Sequence, residues 1–359
     1  MASGARIVQS FRDQAGWAAR LGSPFMARLM DRAAIALEEG GPLAALLGDW
    51  PGDPVADGLP LRVAGALHAL VLSGADPALA ATYPPHTAGI DAVWRAVEAA
   101  LAAHPGHVAT YLASPPQTNE VGRSSLLLPG FLTIAGATGL PLRLLEIGAS
   151  AGLNQIWDRY QYRYGARAWG DLASPVVLTC DWRGAPGPLG RTVRVASRAG
   201  CDRAPIDIRD AAQRDRLRAY VWPDQLERLA RLDAALALAR AADIRVAAAD
   251  AADWLEARLA ESAAGSATVI YHSVVWQYLP AETQRRITAR LAAAGATATK
   301  DRPLAHLALE YSGPDYALRL TLWLGGGGKT DTLLATTHAH GAWLNWRENQ
   351  QPQEVDRSI

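Results

Sequence analysis

Cysteine is nearly missing from this chain: 359 residues include only two, Cys180 and Cys201. Two cysteines exclude a disulfide framework and offer no zinc-ligand spacing, which suits a reducing, cytoplasmic compartment. Net charge is missing as well. Thirty-five Lys and Arg balance 35 Asp and Glu, with a pI near 7.1. A protein that grips phosphate backbones carries a basic excess, so nucleic acid is not the expected main partner. Long apolar runs are absent too. No stretch approaches the ~20 residues of a membrane span, and "MASGARIVQSFRDQAGWAARLG" mixes Arg and Asp into its apolar residues, unlike a signal peptide. No membrane partner is therefore expected. No phosphate-loop pattern surrounds Lys329 in "LGGGGKTD", which is simplest as a hairpin turn. The composition left over, 50% hydrophobic and 19% charged, is that of a globular protein long enough for two domains.

Residues 1–138 read as a helical cap domain. "GSPFMARLMDRAAIALEEGG", "LPLRVAGALHALVLSG" and "DAVWRAVEAALAAHPG" place apolar residues at helical spacing, between loops rich in Pro and Gly. From 139 to 359 short apolar runs alternate with helical stretches. Seven strands are expected: 142–147, 175–180, 244–249, 267–272, 304–309, 317–323 and 332–338. This alternation predicts an α/β domain with a mostly parallel sheet covered by helices. The last two strands are too close for a crossover helix and predict a C-terminal antiparallel hairpin.

"LRLLEIGASAGLNQIWDRY" runs from Leu142 to Tyr160: a strand, a turn of small residues, then a helix-like segment. The dinucleotide pattern G-x-G-x-x-G requires glycines at 148, 150 and 153, where the chain has Gly148, Ser150 and Leu153. The pattern acid-x-G-x-G-x-G fits better, with Glu146, Gly148 and Gly152 matching and Ser150 as a small substitute. This resembles motif I of the class I S-adenosylmethionine-dependent methyltransferases, whose Rossmann-like seven-stranded sheet also ends in a hairpin. The resemblance implies that S-adenosylmethionine or S-adenosylhomocysteine is held by Glu146, Gly148, Ser150, Gly152 and Asn154. It further implies an acid after the second strand on the ribose, here Asp181 in "LTCDWRG", and an acid after the third strand near the adenine, here Asp250 with Ala251. Asp250 is equally readable as the N-cap of the helix that follows.

"PPQTNEVGRSSLLLPGF", "LLEIGASAGLN", "CDWRG", "RAGCDRAPIDI" and "HSVVWQYL" together resemble a bacterial family catalogued as domain of unknown function 2332, over nearly the whole chain. That resemblance implies a methyltransferase-like core and no particular activity. Methyl transfer is an in-line displacement in which the protein mostly aligns the reactants and shields them, with a base where the acceptor needs one. At the end of the fourth strand, His272 and Tyr278 are the candidate catalytic groups, with Trp276 and Gln277 as substrate walls; a histidine satisfied in the core is the competing reading of His272. Asn119, Glu120 and Arg123 in "QTNEVGR" are candidate substrate ligands, or a helix-capping segment. Asp202, Arg203 and Asp207 form either a substrate loop or a turn around Pro205. His338 and His340 lie two apart and read as neighbours on a strand face, with no metal expected. The expected function is methyl transfer to a small molecule. The alternatives are a non-catalytic binding or regulatory protein of the same fold, and, behind both, a nicotinamide oxidoreductase. Oligomeric state is not legible in the sequence.

Overall fold

The computed structural model describes residues 2–347 except 262 and 314, so the tail "NQQPQEVDRSI" lies outside the described residues. Two compact units divide the chain: Met1–Thr118 with Arg209–Asp233, and Asn119–Ile208 with Ala234–Ile359. The first division therefore falls after Thr118 rather than at 138, and a later segment returns to the N-terminal unit.

The first unit is helical, as its apolar spacing predicts. It contains α1 (Ala2–Arg20), α2 (Pro24–Glu39), α3 (Pro42–Leu47), α4 (Leu59–Ser73), α5 (Pro77–Ala80), α6 (Ile90–Ala103) and α7 (Pro105–Leu112). After α8 (Ser124–Thr138), which belongs to the second unit, α9 (Ala211–Ala219) and the first half of α10 (Leu226–Ala241) complete it. Pro stands in the first turn of α2, α3, α4, α5 and α7, where its missing N–H costs nothing. Phe11, Met26, Leu67, Tyr83 and Val97 are fully buried in one core, which Tyr220 and Trp222 join from the returning segment.

α8 departs from the expected cap because of its composition. Its sequence SSLLLPGFLTIAGAT is apolar on nearly every side, and eleven of its residues are buried. A helix apolar all round must be covered on all sides, and α8 packs against strands of the second unit.

Those strands are β1 (Leu142–Ile147), β2 (Gln161–Tyr164), β3 (Arg167–Gly170), β4 (Val177–Thr179), β5 (Asp181–Gly184), β6 (Val195–Asp202), β7 (Ala247–Ala248), β8 (Ala267–Ser273), β9 (Leu304–Ser312), β10 (Asp315–Trp323), β11 (Thr330–Thr337) and β12 (Trp343–Trp346). Among the described residues nine of them form one sheet, in the order β5–β12–β11–β10–β9–β8–β1–β6–β7. The run from β9 to β7 is parallel, while β9, β10, β11 and β12 form an antiparallel meander. The expected hairpin over "LGGGGKTD" is present between β10 and β11.

Two of the expected strands need correction, and one strand beside β1 was not expected. Residues 175–180 contribute β4 to a separate three-stranded sheet, β3–β2–β4, rather than the second strand of the main one. Val, Leu and Thr suit any pleated surface, so composition alone does not say which sheet they join. The strand beside β1 is β6, VASRAGCD, whose Ser, Arg and Gly hide its period. The run at 244–249 shortens to the two residues of β7. Helices α11 (Ala251–Ala260) and α12 (Ala281–Ala296) cover one face of the parallel strands, packing on Leu145, Ile147 and Ile270. The other face carries Tyr271, edge-on to Phe131 of α8, and Phe131 stacks on Trp157 with ring centroids 4.4 Å apart. Among the described residues no helix is long and apolar enough to cross a membrane.

Candidate functional site

The carboxyl ends of parallel strands are where an open α/β sheet gathers ligands, and the polar groups of the second unit concentrate there. The turn after β1 runs through Gly148 (φ 68°), Ser150 (φ 52°) and Gly152 (φ 74°). Its shape is fixed largely by protein. A Cβ on Gly148 would collide with Val275, and one on Gly152 would come within 2.7 Å of Ile244 and 2.9 Å of the Gln155 amide. The two glycines are therefore required by close packing as well as by the left-handed backbone. Ser150, which has a Cβ, accepts that backbone because both of its peptide groups are held. Its N–H donates to Asp202 Oδ2 at 2.9 Å, and its carbonyl accepts from Ile206 N at 3.1 Å.

Asp202 ends β6, next to β1, and its Oδ1 also accepts the N–H of Ala204 at 2.9 Å. Asp250, after β7, accepts from the N–H groups of Ala252 (2.9 Å) and Asp253 (3.3 Å), so it caps α11, with Ala251 the first helical residue. Asp181 is not in this company. It begins β5 at the opposite edge of the sheet, where it pairs with Arg183 at 2.8 Å. The acid that follows the strand neighbouring β1 is Asp202, a residue the sequence places in a loop because β6 is poorly patterned.

Glu146, near the end of β1, is fully buried. Burial drives its pKa up to about 8, partly opposed by a hydrogen bond from Tyr271. Its carboxyl is therefore mostly protonated at neutral pH. Its Oε2 has no hydrogen-bond partner, and neither has the buried Ser150 Oγ. Asn154 is not exposed to a ligand. It clasps the 119–124 segment, accepting from Ser124 Oγ at 2.7 Å and donating to Glu120 O at 3.3 Å. Asn119 Oδ1 accepts the N–H of Leu153 at 2.9 Å, so "QTNEVGR" is bound to the glycine turn. Glu120 Oε1 accepts the N–H of Gly122 at 2.9 Å. Arg123 reaches the carbonyls of Ala339 (3.2 Å) and Ser273 (3.3 Å), linking the ends of β8 and β11.

Residues 338–341 are not the strand face expected for His338 and His340. They form the bend between β11 and β12, beside Gly122, where a Cβ would strike the His340 carbonyl. Burial lowers the pKa of His338, while Glu120 and Asp315 oppose that shift.

His272 has 1% exposure, and both its ring nitrogens are engaged. Glu310 Oε1 accepts from Nδ1 at 2.6 Å, since a carboxylate only accepts. His272 Nε2 shares a hydrogen bond with His306 Nε2, 2.9 Å away. Burial holds His306 neutral, with a pKa near 3. Glu310 Oε1 also accepts the N–H groups of Val275 (3.1 Å) and Trp276 (3.3 Å), and Trp276 stacks on the His272 ring at 5.2 Å. This network holds Val274 at φ 55°, an uncommon backbone for a β-branched residue. His272 thus serves the turn and has no free nitrogen for a substrate proton. Register also separates it from Glu146. Glu146 pairs with Tyr271, so His272, one residue on, faces the other side of the sheet. Gln277 and Tyr278 are exposed on the short helical turn after Trp276. Sequence reasoning missed Glu310 and His306; their only signal is the alternation of "LAHLALE", which puts both on the face of Ile270.

A family model described as an uncharacterized protein conserved in bacteria, DUF2332, matches residues 8–346, and the chain belongs to that family. No curated protein and no solved structure matches it.

Proposed function

We propose that this DUF2332 protein is an S-adenosylmethionine-dependent methyltransferase with a Rossmann-like core, acting on a small molecule. The observation that carries the proposal is the joining of the β1 turn to the end of β6 through Ser150 and Asp202, with Asp250 beyond the next strand end. Acids at successive strand ends beside a tight turn suit a nucleoside, whose hydroxyls and base amine donate hydrogen bonds.

The residues present fit the cofactor by their chemistry. The partnerless Glu146 Oε2 and Ser150 Oγ can receive an ammonium and an amino-acid carboxylate, respectively. Asp202 retains acceptor capacity beyond its two backbone bonds. When bound, S-adenosylmethionine supplies a methyl group already activated on a sulfonium. The chain's contribution is alignment and exclusion of water. Asn119, Asn154 and Arg123 brace the turn, while Gln277 and Tyr278, the exposed polar groups at the end of β8, contact the acceptor. With both nitrogens of His272 engaged, the acceptor must lose its proton without that ring.

The engagement of His272 also favours the second reading, a binding protein of the same fold that transfers no methyl group. Calorimetric titration with S-adenosylhomocysteine tests the binding common to both. One equivalent bound supports the proposal, and no heat from either S-adenosylhomocysteine or S-adenosylmethionine overturns it. Bound cofactor with no methyl transfer to any of a panel of small acceptors favours the second reading.

A further inference from the structure

A cleft of about 500 Å³ opens at the β6–β7 edge of the sheet, and its wall includes Gln155, Ile244 and Val246, which pack against Gly152 of the glycine turn. Four arginines line it: Arg159, Arg198, Arg245 and Arg258. Its wall also includes Gln155 and Trp254, both more than nine-tenths buried. The Gln155 Nε2 and Trp254 Nε1 donors have no acceptor. A buried donor left without a partner is uncommon and costly, and two such donors belong to residues that line this one cleft.

The charge in the cleft points the same way. Arg198 is held by Asp158 through two bonds of 2.7 and 3.0 Å and by the Gln155 carbonyl at 2.7 Å, so its guanidinium is fixed in place. Arg245 pairs with Asp243 at 2.9 Å and Arg258 with Glu261 at 2.7 Å, but these pairs are substantially exposed and weakly held. Each guanidinium has five N–H donors, and these pairs leave some free. Arg159 is exposed and has no partner among the described residues.

We propose that this cleft is a binding site for a phosphate-bearing small molecule. A phosphate group offers acceptor oxygens to several guanidinium groups at once, and the volume matches a small-molecule site. Arg198 is the preset anchor, Arg159 supplies uncompensated charge, and Arg245 and Arg258 exchange weak carboxylate partners for the ligand. This proposal does not rest on the methyl-transfer reading, since none of the four arginines is among the groups assigned to the cofactor.

Inorganic pyrophosphate is the probe, titrated calorimetrically into the whole protein, with sodium chloride of matched ionic strength as the control. The expected result is saturable binding at one site, with a dissociation constant of about 1 mM or tighter. Arg159→Ala combined with Arg245→Ala, both at exposed positions, should weaken it at least about tenfold. Gln155→Met should weaken it without lowering the melting temperature, because the donor it removes has no partner in the free protein. Heat that follows ionic strength alone, or an unchanged isotherm in the double arginine variant, overturns the proposal. S-adenosylhomocysteine is titrated into the same samples. Pyrophosphate binding without cofactor binding would sink the methyltransferase proposal and leave this one standing.

Discussion

Ser150 donates its backbone N–H to Asp202 Oδ2 across 52 positions of sequence, at 2.9 Å. This bond joins the ends of two neighbouring parallel strands and selects which carboxylate borders the glycine turn.

Asp202→Ala therefore removes both the strap on the turn and the candidate ribose ligand. Its affinity for S-adenosylhomocysteine should fall at least about tenfold, or roughly 1.4 kcal/mol, by calorimetry. Asp181→Ala, at the far edge of the sheet, should bind as the parent does. Equal losses in the two variants would contradict this assignment.

Glu146 makes stability depend on pH in a defined window. Its pKa rises from an ordinary 4.5 to about 8 on folding, so the unfolded chain releases this proton first as pH rises. The group's contribution is fully present below pH 4.5 and is lost progressively up to about pH 8, at no more than about 1.4 kcal/mol per pH unit. Glu146→Gln keeps a neutral side chain and should abolish that slope in urea melts across pH 5 to 8. A ligand ammonium placed at Glu146 would lower its pKa. Cofactor binding near pH 7 should then release a proton, seen as a dependence of the calorimetric heat on buffer ionisation enthalpy.

Glu310→Ala would leave the His272 Nδ1–H and the N–H groups of Val275 and Trp276 without their acceptor. Buried donors left unmet cost about 1–3 kcal/mol each, and partial rehydration reduces the sum. A loss of about 3 kcal/mol is expected by chemical denaturation. Glu310→Gln, which retains an acceptor oxygen, should lose much less. Similar losses from both would mean that Glu310 matters for its charge rather than as the acceptor in this turn.

Gly148→Ala should destabilise by two separable routes. The left-handed backbone costs a residue with Cβ about 1–2 kcal/mol, and the new methyl meets Val275. Val275→Ala should recover the second part and not the first. A double-mutant cycle with no coupling would show that the turn moves aside instead of resisting.

Much of the architecture was legible in the chain. Apolar residues at helical spacing marked the N-terminal helices, because burial of one face recurs every 3.6 residues whatever the partner. β1, β8, β9, β10 and β11 were visible as apolar runs because each is packed on both faces or paired centrally. β6 was hidden. VASRAGCD sits beside the short β7 near the sheet edge, where Ser and Arg are tolerated. Missing it put Asp181 in the place beside the glycine turn that Asp202 occupies.

The sequence by itself determined the elements that local physics governs: the helices, the glycine turn after an apolar strand and the hairpin at the glycine run. Each depends on residues within a few positions of one another. Tertiary structure alone decided which strands are neighbours, and with that which charges meet. Glu146 and His272 are drawn to opposite faces by one residue of register, and Glu310 and His306 reach His272 only because β9 lies beside β8. Pairing of distant strands is settled by the packing of the whole sheet, and no local pattern encodes it.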